Sequence, residues 1–341
     1  MVTIKDVARA AGVSVATVSR VYNSSAPVRQ DTRDRVRAVA EQLGYSPHGA
    51  ARSLITSRTH TLGVLLPDLY GEFFSEVIRG VDGAAQRAGY HLLVSSLRGE
   101  SHGLEAALRS MRGRVDGLIV MSPDLDAGAA GRSLPSGFPV VLLNGPPSDA
   151  AYASLVVANA EGAQAMVAHL AGLGHRRIAL VGGAARNYDA EERRRGYRQG
   201  LGEAGLPWRP DYEVAGDFSE ESGHAAALRL LSLPEPPTAI FAANDCMAIG
   251  ALSACRDHGR KVPDDVAVAG FDDIPMARYV DPPLTSVHVD ISALGARATE
   301  RLLDALRAPA NRDLRRETLP TTLVVRRSCG ALTPTPMREI P

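Results

Sequence analysis

Within ten residues of the N-terminal segment, Ser14, Thr17, Ser19, Arg20 and Asn23 gather three hydroxyls, a guanidinium and an amide. Short donors of this kind hold phosphate oxygens and set a protein's register on a duplex. An arginine fork can donate two bonds to a guanine, worth about 1–3 kcal/mol of discrimination. The chemistry on offer is recognition of a nucleic acid. Charge agrees with it. Residues 1–60 hold nine Lys/Arg against four Asp/Glu, a net +5, so the rest of this neutral 341-residue chain carries −5. A small basic head on a larger acidic body points to a polyanion partner for the head alone.

Three short helices and a connector have to position those groups. Thr3 suits an N-cap, with Asp6 near the exposed amides of the first turn. Ile4, Val7, Ala8 and Ala11 share one face, and Gly12 can take the positive φ of a helix stop. Ser14 caps a second helix with apolar positions Val15, Val18 and Val21. A helix of about eight residues, a Gly-containing turn and a second short helix form the helix-turn-helix pattern. Gln30 or Asp31 opens a third helix, with Val36, Val39, Ala40 and Leu43 inward and Gly44 as its stop. The first two helices need it, because alone they bury too little surface.

Beyond residue 60 strands and helices alternate. Strands are expected at 61–66, 91–95, 117–121, 140–143, 177–181, 239–242 and 266–271. Helices are expected at 73–88, 103–111, 161–173, 191–204, 222–231 and 245–258. Alternating βα units mean parallel sheets with helices on both faces. About 280 residues of this pattern are too many for one sheet, so two lobes are expected, with a ligand held at strand ends between them. The fold class is a small all-α helix-turn-helix head on an α/β body.

Other chemistries lack their residues. No apolar run approaches the roughly 20 residues of a membrane helix. Lys5, Asp6 and Arg9 interrupt the N-terminus before a secretory core forms. Cys246, Cys255 and Cys329 are too few and too scattered for a disulfide framework or a zinc site, and they suit a reducing cytoplasm. Val181-Gly182-Gly183 lacks the Lys-Ser/Thr of a phosphate loop. Asp272-Asp273 has no His or further acid at metal-ligand spacing, and no Ser stands in a Gly-x-Ser-x-Gly elbow. No enzyme, cofactor or metal is expected.

The run from Thr3 to Asn23, TIKDVARAAGVSVATVSRVYN, closely resembles the opening of the LacI/GalR family of bacterial transcriptional repressors. Gly44-Tyr45-Ser46-Pro47, then Ala50-Ala51-Arg52-Ser53-Leu54, resembles the family's hinge. That hinge folds into a short helix on operator DNA and wedges a leucine into the minor groove, here Leu54. The resemblance implies that Val15, Ala16 and Arg20 read major-groove bases. Thr17, Ser19 and Asn23 would hold phosphates, and Thr3, Ser14, Tyr45 and Ala51 complete the DNA-facing set. It divides the chain into a helix-turn-helix domain (1–46), a hinge helix and linker (47–60), an effector-binding and dimerisation body (61–330) and a disordered tail (331–341).

The resemblance extends through Arg114-Val115-Asp116-Gly117, Leu173-Gly174-His175, Gly270-Phe271-Asp272-Asp273 and Pro283-Leu284-Thr285. It implies a body like a periplasmic sugar-binding protein. A sugar needs planar polar side chains for its hydroxyls and an aromatic face for its C–H surface. The implied effector residues are Asn144, Arg193, Asn244 and Asp272, with Phe218 and one of Phe73 and Phe74. Arg193 keeps the family's spacing to Gly196-Tyr197. Two departures remove a carboxylate: Ala158 stands before Asn159 where relatives often have Asp, and Asn144 stands where many sugar binders have Asp. Arg186-Asn187 resembles purine-binding members, so a nucleobase effector stays open beside a sugar.

The implied partners are palindromic operator DNA, a small-molecule effector and a second copy of the chain. Inducer and corepressor remain alternatives. No heptad run after residue 330 supports a tail-built tetramer. Leu54→Ala is expected to weaken operator binding strongly and to spare effector binding; equal operator affinity in a gel-shift titration would remove the wedge.

Overall fold

The computed structural model describes residues 2–23, 27–45, 58–97, 103–121, 137–145, 152–308 and 313–331. The expected hinge residues Ala51 and Leu54, and the tail beyond Ala331, lie outside the described residues. The chain divides into two compact units, residues 1–61 with 111–116, and the remainder.

The first unit holds α1 (Ile4–Ala11), α2 (Val15–Asn23) and α3 (Gln30–Gln42). Asp6 accepts the backbone N–H of Thr3 at 2.9 Å and its hydroxyl at 2.7 Å, which fixes the start of α1. Gly12 ends α1 at φ 65°, and the Ser14 hydroxyl accepts the Thr17 N–H at 3.1 Å to cap α2. Val7, Ala8, Ala11, Val18, Val21, Val36 and Ala40 form one shared core. Two residues expected inside are not. Val15 is 41% exposed and Leu43 37%. At 3.6 residues per turn each three-residue step shifts about 60° around the helix, so Val15 has rotated about 120° from Val21. Leu43 is the residue beyond the last turn of α3.

The second unit contains almost all of two six-stranded sheets. The first lobe's strands are β1 (Thr61–Leu66), β2 (His91–Ser96), β3 (Gly117–Met121), β4 (Val140–Leu143) and β5 (Ala153–Val157), with helices α4 (Glu72–Arg87) and α5 (Gly103–Met111). The second lobe's helices are α6 (Asn159–Gly172), α7 (Tyr188–Glu203), α8 (Glu220–Leu231) and α9 (Asp245–Asp257). Its strands are β6 (Ile178–Gly182), β7 (Glu213–Ala215), β8 (Ala239–Ala242), β9 (Ala267–Asp272) and β10 (Thr285–His288). The chain then returns through α10 (Ile291–Arg307) to β11 (Arg316–Leu319) in the first sheet, and ends with β12 (Thr322–Val324) in the second. Strand order is β11-β5-β4-β3-β1-β2 in one sheet and β12-β10-β9-β8-β6-β7 in the other. Three passages of the chain therefore join the lobes. In the second sheet β12 runs antiparallel to β10, and the pairs β9–β10, β8–β9, β6–β8 and β6–β7 are parallel. Strands β3, β4, β8 and β9 are buried throughout, as parallel strands covered on both faces must be.

The sequence reading starts α6 and α7 two to three residues late and assigns no element to 291–307. The signal for α10 is present, since Ile291, Leu294, Ala298 and Leu302 recur at helical spacing and are buried. The unassigned strands β5, β7, β10, β11 and β12 are three to five residues long, too short to show a period.

Small residues let the helices pair closely. A Cβ at Gly196 on α7 would collide with the backbone carbonyl of Ala160 on α6, and Gly80 on α4 meets Ser292 at α10 in the same way. Gly202, on the same helix as Gly196, faces open space. Gly196→Ala should therefore lose about 1–3 kcal/mol to overpacking, whereas Gly202→Ala should gain about 0.5–1 kcal/mol of helix stability. Urea unfolding of both variants checks the opposite signs.

Candidate functional site

At the C-terminal ends of the strands the backbone leaves its ordinary conformations. Asn144 follows β4 at φ 47°, Arg186 lies between β6 and α7 at 66°, Phe218 between β7 and α8 at 74°, and Asp272 and Asp273 close β9 at 101° and 54°. Among the described residues only His60 shares this region without being glycine. Non-glycine residues there carry strain that the surrounding fold must hold, and such strain gathers at binding sites.

Arg193, one turn into α7, organises the cluster. It is 3% exposed. Its Nε donates to Asn159 Oδ1 at 2.8 Å, one terminal nitrogen donates to the Ala243 carbonyl, and the other lies 2.9 Å from Asp272 Oδ1. The guanidinium plane stacks 3.8 Å from the centre of the Phe271 ring. Asn159 relays the network onward, since its Nδ2 donates to Asp189 Oδ1 at 2.8 Å. The Asn144 side chain, from the first lobe, stands near Asp189 and acts to lower its pKa. The Asn144 carboxamide oxygen is buried without a partner.

The carboxyls respond to this setting. Burial raises Asp189 to about 7; Arg193 opposes the rise, Asp272 adds to it, and Asn159 and Asn144 oppose it. Burial likewise raises Asp272 to about 6 against the pull of Arg193. Asp245, at the start of α9, is pushed well up by burial and by Asp272. Its oxygens accept from the Ser286 hydroxyl at 2.6 Å and the Ile274 N–H at 2.8 Å, which anchors the turn after β9. Asp273 is spent on His288 at 3.0 Å and Arg326 at 2.7 Å.

Of the expected effector residues, Arg193 and Asp272 meet directly, and Asn144 lies near Asp189. Asn244 caps α9 by accepting the Met247 N–H at 2.9 Å, and its amide donates to the Phe218 carbonyl at 3.0 Å. Its side chain therefore fixes the Phe218 turn. The Phe218 ring lies where a Cβ on Gly183 would be. Phe73 and Phe74 meet edge to face at 5.6 Å, and both are half-buried against the main core. The sequence reading missed Asp189, Asn159 and Phe271. Asp189 stands four residues before Arg193, a spacing that pairs side chains on one helical face.

On the head, Ser14, Val15, Ala16 and Arg20 are exposed, and Thr17 and Ser19 are half-exposed. The Ser14 and Thr17 hydroxyls lie 2.9 Å apart. The Thr3 hydroxyl is used locally by Asp6, and Tyr45 packs its ring on Tyr22 at 6.0 Å. Asn23 is the last residue of α2.

Residues 3–48 match the model of bacterial regulatory proteins of the lacI family, and residues 167–329 match a periplasmic binding protein-like domain. The HTH-type transcriptional repressor PurR of Photobacterium profundum is 36% identical over 96% of this chain and 98% of its own. The chain belongs to the LacI family. The fold agrees. The lac repressor dimer bound to operator and an anti-inducer superposes with TM-score 0.88 at 32% identity, over 97% of this chain and 99% of that one. The transcriptional regulator CelR in complex with cellobiose superposes with TM-score 0.73 at 31% identity, over 96% and 100%. LacI-family members are DNA-binding transcriptional regulators with an effector-binding body. Among the described residues no helix is long and apolar enough to cross a membrane, and no cluster of metal-ligating side chains occurs.

Removing Asp272 would leave the buried Arg193 charge without its carboxylate. Asp272→Ala should cost roughly 3–5 kcal/mol of stability, read as a lowered denaturation midpoint at unchanged slope.

Proposed function

We propose that this chain is a cytoplasmic repressor that binds a palindromic operator as a homodimer and releases or grips it according to a small-molecule effector, first of all a sugar or sugar derivative. The observation that carries this reading is the pairing of two faces on one chain. The head presents Val15, Ala16 and Arg20 outward from α2 of a helix-turn-helix. The body holds a strained polar cluster at the strand ends where such folds take ligands. Val15 and Ala16 suit thymine methyls and Arg20 suits a guanine. The expected hinge carries Leu54 as an apolar wedge that bends the duplex.

A second copy is supported by the exposed apolar side chains Leu69, Tyr70, Met276 and Tyr279. They come from the two lobes near the point where Glu72 accepts the Met276 N–H at 2.8 Å. Two heads on a two-fold axis would read two half-sites. Effector acts by its differential affinity for the lobe arrangements that favour and disfavour paired hinges. A nucleobase effector is the second reading, favoured by Arg186 at the mouth of α7 and by the PurR relative.

Selection from a pool of random duplexes at fixed salt, with and without sugars and nucleobases, tests both halves. An enriched palindrome whose recovery one compound changes is the expected result, and that compound decides between the readings. Arg20→Ala should relax one position in each half-site at a cost of about 1–3 kcal/mol. Compound binding without any enriched sequence would overturn the repressor reading.

A further inference from the structure

The linker that leads out of the head has a fixed point of its own. The Asp116 carboxylate takes three hydrogen bonds from two consecutive linker residues. Its Oδ1 accepts the Thr59 N–H at 2.6 Å and the Thr59 hydroxyl at 2.8 Å, and its Oδ2 accepts the His60 N–H at 2.9 Å. The backbone replies in the other direction, since the Asp116 N–H donates to the Thr61 carbonyl at 2.8 Å. Fifty-seven residues separate Thr59 from Asp116, so no local turn accounts for these bonds.

The strand ladder explains why a carboxylate stands there. β1 and β3 pair in parallel from Leu62 opposite Gly117, and Asp116 is the residue directly before β3. His60 has φ 50°, a left-handed conformation that a non-glycine residue keeps only when its surroundings fix it. That turn takes the chain off the ladder one residue before β1 begins. The amides of Thr59 and His60 then need another acceptor. A carboxylate offers two oxygens that only accept. Thr59, His60 and Asp116 are all half-buried, which shields the bonds from competing water.

We propose that Asp116 is a positioning residue for DNA binding: it clamps Thr59 and His60, so that the connector to the head starts from a fixed point. Residues 46–58 are then the whole of the adjustable tether. A tethered reader binds according to how closely its tether confines it. With the clamp open, the backbone of Thr59 and His60 must be ordered afresh each time DNA is bound. The Asp116 side chain bonds to the linker, whereas the cluster around Arg193 is built from other residues. Losing the clamp therefore weakens the grip on DNA and spares the effector. The role in DNA binding rests on the repressor function proposed above; the clamp itself does not.

Two measurements on the full chain test it. One is a gel-shift titration with a palindromic duplex selected by the wild-type chain. The other is limited trypsin digestion, read as the fragment that begins at Thr59 after cleavage at the exposed Arg58. Asp116→Ala should bind the duplex about 5- to 30-fold more weakly, the cost of ordering one residue's backbone at the moment of binding. Cleavage after Arg58 should speed up by a similar factor, because proteolysis follows the population of the open segment. Affinity for a compound that changes duplex recovery should stay the same, which a general loss of fold would not allow. Asp116→Asn keeps the side-chain shape and turns one acceptor into a donor facing an N–H. It should move both readings the same way, and it decides the matter where Asp116→Ala folds poorly. Unchanged duplex affinity or unchanged cleavage in these variants overturns the proposal. A wild-type chain that selects no duplex fails the repressor function instead, and the Arg58 cleavage alone then decides the clamp.

Discussion

A guanidinium taken out of water must have its charge balanced and its donors met, or the fold cannot hold it. Arg193 meets that demand with four residues from three places in the chain. Asn159 starts α6, Ala243 follows β8, Asp272 ends β9, and Phe271 supplies the face beneath. Each partner must sit within hydrogen-bond reach at once. The ends of two strands and the first turns of two helices are thereby pinned around one cation. Left-handed residues gather nearby, since Asn144, Phe218, Asp272 and Asp273 turn out of their strands within a residue or a few.

From this cluster the polar network runs outward. Asn159 passes the bond from Arg193 to Asp189. Asp245 ties the first residue of α9 to the turn after β9, and Asp273 ties that turn to β10 and to Arg326 after β12. These bonds tie the cluster to β10 and to Arg326, next to the segments that join the lobes.

The head works by a different economy. Seven small or branched side chains make its core, so helix ends are set by local bonds: Asp6 to Thr3, Ser14 to Thr17, and the positive φ of Gly12. Because these bonds link residues three apart, the head is legible in sequence, residue by residue. Val15 shows where legibility stops. Its apolar type and spacing suggest a core position, yet the core closes around Val18 and Val21, and Val15 is left on the surface.

The sequence by itself determined the helix-turn-helix, the alternating βα order and the family, since each rests on period, local capping or motif. It did not reveal α10 as a helix, although its period was there to read. Only the tertiary structure decided that the chain crosses the lobes three times, because strand order is set by which buried faces meet. It alone made Asn244 a cap holding Phe218, and brought Asn159 and Asp189 into the cluster. Asn159 and Arg193 are 34 residues apart; no local pattern links them, and only a shared need to satisfy a buried charge does.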